Sequence, residues 1–147
     1  MQAILFTGIQ ATGKSTFYKH YFVDTHIRIN LDMLKTRLRE HILVNACIEA
    51  KQPFVVDNTN PSVENRQKYI TLAKKAGFKI IGYYFQSKLK EALKRNSTRT
   101  GKACIPEQGI KSAYGKLQIP TFSEGFDMLY YVTINADNSF TVKEWTT

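Results

Sequence analysis

A chain of 147 residues, 43% hydrophobic and 22% charged, is long enough for one domain with its own core and needs no disulfide or structural metal to hold it. Its two cysteines, Cys47 and Cys104, lie far apart and fit neither a disulfide framework nor a zinc spacing, and no stretch approaches the ~20 apolar residues of a membrane helix. The net charge of +9 biases the surface toward polyanions or toward plain solubility; a cytoplasmic location and no membrane partner are expected.

Short apolar runs alternate with longer amphipathic ones along the chain. Ala3–Phe6 reads as a first strand, Lys14–Phe22 as a helix and His26–Ile29 as a short strand. Asp32–Glu49 is expected as one long helix, with Leu34, Leu38, Ile42 and Ala46 at helical spacing. Pro53–Val56 reads as a strand. Ser62 is a good N-cap for a helix running to about Ala76, and Gly77 stops it. Phe78–Phe85 is apolar enough for a strand buried on both faces. Lys88–Asn96 reads as a helix, 97–106 as a polar basic loop, and Pro106–Tyr114 as a short helix. Tyr130–Ile134 and Phe140–Val142 suggest an antiparallel hairpin at a sheet edge. The expected fold is α/β, a three-layer sandwich with a largely parallel sheet and a small helical lid, formed by a single domain over 1–147.

Gly8-Ile9-Gln10-Ala11-Thr12-Gly13-Lys14-Ser15 fits G-x-x-x-x-G-K-[ST] at every fixed position, between a strand and a helix. Such a loop turns successive backbone N–H groups onto a phosphate. Glycines permit the backbone angles that this needs, and the helix that follows offers its positive end. Lys14 adds a point charge at the β- and γ-phosphates, and Ser15 offers a hydroxyl to Mg²⁺. Gly8, Gln10, Ala11, Thr12, Gly13, Lys14, Ser15 and the adjoining Thr16 are the candidate residues for ATP and Mg²⁺.

Two carboxylates follow predicted strands, where ligands gather in sheets of this kind. Asp32 can take the proton of an attacking hydroxyl, or it can be the N-cap of the helix that starts there. Asp57, in Asp57-Asn58-Thr59-Asn60, can hold the metal directly or through water, or it can belong to a polar turn.

Residues 64–116 carry thirteen Lys and Arg against three Glu. Most fall on helix faces, where solvation is the ordinary explanation. Arg95 and Arg99 stand apart: they are four residues apart and lead into a Gly-containing loop, and arginine suits a migrating phosphoryl group. Tyr69, Tyr83, Tyr84, Phe85 and Tyr114 interleave with this charge and could stack bases, although 83–85 read more simply as core. Asn96-Ser97-Thr98 matches a glycosylation acceptor and is set aside for want of a secretion signal.

Taken in order, these motifs resemble the 5′-hydroxyl polynucleotide kinase domains of the P-loop kinase superfamily, over about Ile4 to Val132. The resemblance rests on Gly8–Ser15, Asn30-Leu31-Asp32, Asp57-Asn58-Thr59-Asn60-Pro61 with Arg66, Lys94-Arg95-Asn96-Ser97-Thr98-Arg99 before Ile105-Pro106, and Ile119-Pro120-Thr121-Phe122-Ser123-Glu124-Gly125-Phe126. It implies that Lys14 and Ser15 hold ATP and Mg²⁺, that Asp32 is the general base, and that Arg95 and Arg99 are lid arginines on the ATP phosphates. Asp57 and its neighbour Asn58 would line the acceptor site, with Lys35 and Arg66. This chain departs from the family pattern in having Gln10-Ala11 for Pro-Gly, Leu31 for Arg, and Lys35 where the phage type has Arg.

The implied function is ATP-dependent phosphoryl transfer to a 5′-OH end of RNA or DNA, with any phosphatase or ligase partner on a separate chain. A nucleoside or sugar kinase on the same scaffold and a non-catalytic ATP-binding module are the alternatives.

Overall fold

The computed structural model describes residues 1–99, 101 and 104–145. Thr100, Lys102 and Ala103 of the predicted lid loop lie outside the described residues. Six strands form one sheet in the order β2-β3-β1-β4-β5-β6. β1 (Gln2–Thr7), β2 (Ile27–Ile29), β3 (Phe54–Val56), β4 (Lys79–Phe85) and β5 (Met128–Ile134) run parallel, and β6 (Phe140–Glu144) pairs antiparallel with β5. The hairpin expected at the C-terminal end is therefore present, closed by a turn in which Asn138 takes a φ of 67°.

The connections place helices on both sides. α1 (Lys14–Tyr21) covers one face, where Phe17 and Tyr18 pack on Ile4, Phe6, Val55, Phe85 and Val132. α3 (Arg37–Ala50) and α4 (Val63–Lys75) cover the other, where Val44, Cys47, Tyr69, Ile70 and Ala73 meet Ala3, Leu5, Phe54, Val56 and Ile80. Both faces of β1 are buried, which is why it reads as an unbroken apolar run. α5 (Leu89–Ser97) and α6 (Glu107–Lys116) form the lid as a separate pair. The lid has its own small core: Ala92, Ile110 and Ala113 pack directly on Ile9 and Ala11 of the first loop.

One long helix was expected over 32–49, and two are found. α2 (Leu31–Leu34) ends where Lys35 takes a φ of 74°, and Thr36 then caps α3 by accepting from the Arg39 N–H. A left-handed residue costs about 1–2 kcal/mol outside glycine, and the cap offsets it with about 1 kcal/mol. The break re-phases the helix. Leu38 and Ile42 stay exposed, while Glu40, Val44 and Cys47 turn to the sheet. Ser62 caps α4 as expected, with a reciprocal bond to Asn65, and Gly77 follows its end at a φ of 84°.

Register aligns the carboxyl ends that matter. Val56 pairs with both Leu5 and Ile29, so the segments after β1, β2 and β3 emerge side by side. The chain reverses direction across the sheet between β1 and β3, the place where such sheets bind ligands.

Candidate active site

A cleft of about 670 Å³ opens at those strand ends. Its floor is the loop after β1. Gly8 sits so close to β4 that an added Cβ would lie 2.9 Å from Phe85 Cβ. Gly13 takes a φ of 93°, and an added Cβ there would lie 2.9 Å from Ile134 and Phe140. No other residue type fits either position without movement. The Thr12 hydroxyl donates to Ile9 O at 2.8 Å, and the Gly8 N–H donates to Thr59 O at 3.0 Å, which holds the loop against β3. α1 starts at Gly13 with no side-chain cap and no acid in its first turn, so its positive end faces the cleft uncompensated.

Lys14 is buried and donates to Gly8 O and Ile9 O, both at 2.9 Å. Burial pushes its ammonium down to about 8; Asp57 and Asp32 oppose the shift and Arg99 adds to it. A phosphate would favour the charged form again. Gln10 also lines the cleft, and its Oε1 is a buried acceptor with no partner. A glycine-shaped cradle, an open helix terminus and a buried ammonium together fit the phosphates of a nucleoside triphosphate.

Beside Lys14, the Ser15 hydroxyl donates to Asp57 Oδ2 at 3.0 Å. Asp57 is buried, and the same oxygen accepts from Arg28 Nε at 2.8 Å. Hard oxygen donors of this kind suit Mg²⁺, and Arg28 already sets a cation on them, so the pair fits the metal. No group of three or more His, Cys, Asp or Glu side chains that could hold a metal occurs among the described residues.

The opposite wall is made of side chains. Asp32 is exposed in the first turn of α2 and lines the cleft. It is not the cap, which is Asn30: the Asn30 Oδ1 accepts from Met33 N–H at 2.9 Å, and its Nδ2 donates to Asp57 O at 2.6 Å. That leaves the Asp32 carboxylate out of the helix's own hydrogen bonding. Asn58 Oδ1 accepts from Leu31 N–H at 2.8 Å, and its Nδ2 donates to Glu40 Oε2 at 3.0 Å. Buried Glu40 also accepts from Tyr69 at 2.7 Å and from Arg37 at 3.0 Å, with Lys68 Nζ 3.8 Å away. Burial raises the Glu40 carboxyl, but the Tyr69, Asn58 and Arg37 hydrogen bonds outweigh it and hold the pKa below its usual value. Among the described residues, the cleft carries Lys14, Arg28, Arg37, Lys68 and Arg99 against Asp32 and Asp57. Five cations against two carboxylates favour anions at both ends.

The sequence profile of the family described as "AAA domain" matches residues 4–118, which include both walls. The chain belongs to this family of P-loop kinases. A bifunctional polynucleotide phosphatase/kinase of Schizosaccharomyces pombe is 31% identical over 132 residues, spanning 85% of this chain and 32% of that protein. An L-seryl-tRNA(Sec) kinase of Methanococcus maripaludis is 28% identical over 144 residues, spanning 85% of this chain and 56% of that one. The chain thus spans about a third to a half of the length of the curated relatives it matches. A gluconokinase structure from Sinorhizobium meliloti shares the fold at a TM-score of 0.62 with 17% identity, over 90% of this chain and 82% of that one. No helix among the described residues is long and apolar enough to cross a membrane.

Against this kinase frame the expected site residues divide. The structure brings Gln10, Ala11, Gly13, Lys14, Ser15, Thr16, Asp32, Asp57, Asn58 and Arg99 to the cleft, with Gly8 and Thr12 buried beneath it. Three residues do not line it. Arg66, expected at the acceptor, is fully buried; its Nε and Nη2 reach Glu124 at 2.7 and 3.1 Å, and Nη1 donates to Asn60 O. It fastens the 119–126 motif to the third-strand motif. Lys35 is exposed at the helix break. Arg95 Nη1 reaches Ala11 O at 3.5 Å and Nη2 lies 3.8 Å from Glu91, behind the loop. Asn96 is buried with both amide atoms bonded to Ile105, at 2.6 and 2.8 Å, so it closes the lid loop and is no glycosylation site. Tyr69 and Tyr84 are buried and cannot stack bases; Tyr114 is exposed.

Arg28, Arg37, Glu40 and Lys68 escaped the sequence reading. Glu40 left a trace, since it falls four and seven residues before Val44 and Cys47, a carboxylate on an apolar stripe.

Proposed function

We propose that the chain is an ATP- and Mg²⁺-dependent kinase acting on the 5′-OH end of RNA or DNA. The observation that carries this reading is that Asp32, Arg37 and Lys68 line one cleft together with the phosphate loop. A carboxylate and two cations in one cleft suit a hydroxyl that has a phosphate as its neighbour, as a polynucleotide end has. The polynucleotide phosphatase/kinase relative supports the same acceptor class.

In this reading the loop N–H groups and Lys14 hold the ATP phosphates. Asp32 accepts the proton of the acceptor hydroxyl as its oxygen bonds to the γ-phosphorus, and the bond from that phosphorus to the bridging oxygen of ADP breaks. Arg99 offsets the charge on the migrating group, while Arg95 supports the loop from behind through Ala11 O. Ser15 and Asp57 would hold Mg²⁺, which neutralises charge on the β- and γ-oxygens when bound. Arg37 and Lys68 hold the acceptor phosphate, with Glu40 fixing their positions.

The test follows label from γ-labelled ATP to 5′-OH RNA, 5′-OH DNA and a nucleoside mixture, using wild type, Asp32→Asn and Lys14→Ala. Transfer to an oligonucleotide end is expected, with a loss of about 10²–10⁴-fold in Asp32→Asn. Label on nucleosides alone would move the protein to the small-molecule kinases. An Asp32→Asn protein at the wild-type rate would remove the base from this wall.

A further inference from the structure

Arg28 stands in β2, one residue before the strand ends, and is a cation of the cleft that neither the phosphate-loop motif nor the acceptor residues account for. Its Nε donates to Asp57 Oδ2 at 2.8 Å and its Nη2 donates to Ser15 Oγ at 2.9 Å. Ser15 Oγ in turn donates to the same Asp57 oxygen, so three groups close one ring of hydrogen bonds. The arginine side chain is 26% exposed and the Asp57 side chain 1%. The guanidinium carbon lies 6.0 Å from the Tyr18 ring centroid, and Tyr18 is itself fixed by its hydroxyl donating to His26 O at 2.6 Å. The guanidinium is thus held in place on the two oxygens to which a metal role is assigned above.

The charges that face it set the consequence. Asp57 is the carboxylate that Arg28 touches, and the same Asp57 acts electrostatically on Lys14. A free divalent cation approaching Ser15 Oγ meets a fixed positive charge on the same two oxygens and a second one at Lys14. Like charges held close together in a partly buried site repel more strongly than they would in water. A metal carried by ATP arrives in a complex whose net charge is negative, and that complex is attracted. Magnesium is also reluctant to lose its water and prefers sites where substrate phosphates complete the shell.

We propose that Arg28 is the resident counter-cation of the metal site: it neutralises Asp57, excludes free divalent ions, and yields Ser15 Oγ only to a metal that comes with nucleotide. This rests on the metal-binding role proposed for Ser15 and Asp57 and is independent of which acceptor the kinase uses. It makes Arg28 a positioning residue, not a catalytic one.

The experiment measures Mn²⁺ binding by electron paramagnetic resonance, with nucleotide-free protein and again with ADP, for wild type, Arg28→Gln and Arg28→Lys. Thermal unfolding with and without Mn²⁺ is run on the same samples. Free Mn²⁺ should bind Arg28→Gln at least roughly tenfold more tightly than wild type and should raise its Tm, while the Tm of wild type stays put. Arg28→Lys, which keeps the charge, should behave as wild type. Should the glutamine protein fail to fold, Arg28→Met keeps the stem over Tyr18 and carries the same expectation. Equal affinity of wild type and the neutral variant for free Mn²⁺ overturns the proposal. So does the absence of free-ion binding in both while each takes up Mn²⁺ with ADP. Failure of every form to take up Mn²⁺ even with ADP overturns the metal assignment to Ser15 and Asp57, and this proposal with it.

Discussion

The two walls of the cleft are built on opposite principles. The phosphate loop is eight consecutive residues whose working groups are backbone N–H donors, a helix terminus and one lysine, and its shape is enforced by Gly8 and Gly13 packing where a Cβ would collide. The opposite wall gathers Asp32, Arg37, Asn58 and Lys68 from α2, α3, the third-strand loop and α4, and it is held together by one buried carboxylate, Glu40. The first wall is contiguous in sequence, with its glycines fixed against Phe85, Ile134 and Phe140. The second is gathered from separate segments of the chain, so its residues can be changed one by one while the loop keeps its own. The same scaffold can therefore keep its donor and change its acceptor.

The largest expected effect on that contrast is at Glu40. Glu40→Ala strips the acceptor from Tyr69, Asn58 and Arg37 together and should cost about 3 kcal/mol, measured by urea unfolding. Acceptor binding should weaken while ATP binding to the folded fraction holds. An equal loss of both would show that the walls are one unit.

Arg37→Ala and Lys68→Ala act at the surface of the same wall. Each should weaken oligonucleotide binding and lower the slope of log affinity against log salt by about 1. Binding of an uncharged nucleoside should not change. An unaltered salt slope in the double variant would remove the acceptor phosphate from this wall.

The donor wall is probed by pH. Lys14, at about 8 when buried, lies below its value of 10.5 in an unfolded chain. The unfolded protein therefore binds more protons between pH 8 and 10.5, and Lys14 makes the stability of the nucleotide-free protein rise with pH across that window. Phosphate reverses the preference. ATP binding at pH 8.5 should take up a proton, and affinity should fall as pH climbs through 8. Calorimetry in two buffers of different ionisation enthalpy measures the uptake, and none would mean that burial leaves Lys14 charged.

The smallest effect is at Ala11, whose φ of 64° is left-handed for a residue with a side chain. Ala11→Gly relieves about 1 kcal/mol of backbone strain but removes a methyl group packed on the lid core, worth about as much. Stability should change by less than about 1 kcal/mol. A larger gain would mean that strain dominates in the loop.

These differences explain what could be read in advance. The phosphate loop was legible because its chemistry is contiguous, and Asp57 because an apolar strand runs into it. The alternation of strands and helices carried the layered fold, and Ser62 and Gly77 marked the ends of α4. The helix over 32–49 misled because Leu34, Leu38, Ile42 and Ala46 do keep helical spacing; the Thr36 cap and the left-handed Lys35 re-phase it onto Glu40. Lys68 reads as solvated charge on a helix face, and Arg28 and Arg37 belong to no motif, until the fold sets all three around one cleft. Arg66, which the family resemblance implies at the acceptor, is a buried tie to Glu124, and burial of this kind leaves no mark in the sequence.

The Asn96 clasp has an evolutionary side. By fastening Ile105 to the end of α5 at both amide atoms, it fixes where the intervening segment leaves and rejoins the scaffold, whatever that segment contains. With its ends pinned, doubling the segment's length costs only about 0.6 kcal/mol of closure entropy. Insertions, deletions and new side chains can then be sampled there at little risk to the helices on either side. A change of length between Asn96 and Ile105 is thus separated from the packing of α5 and α6, and Asn96 is the residue that provides the separation.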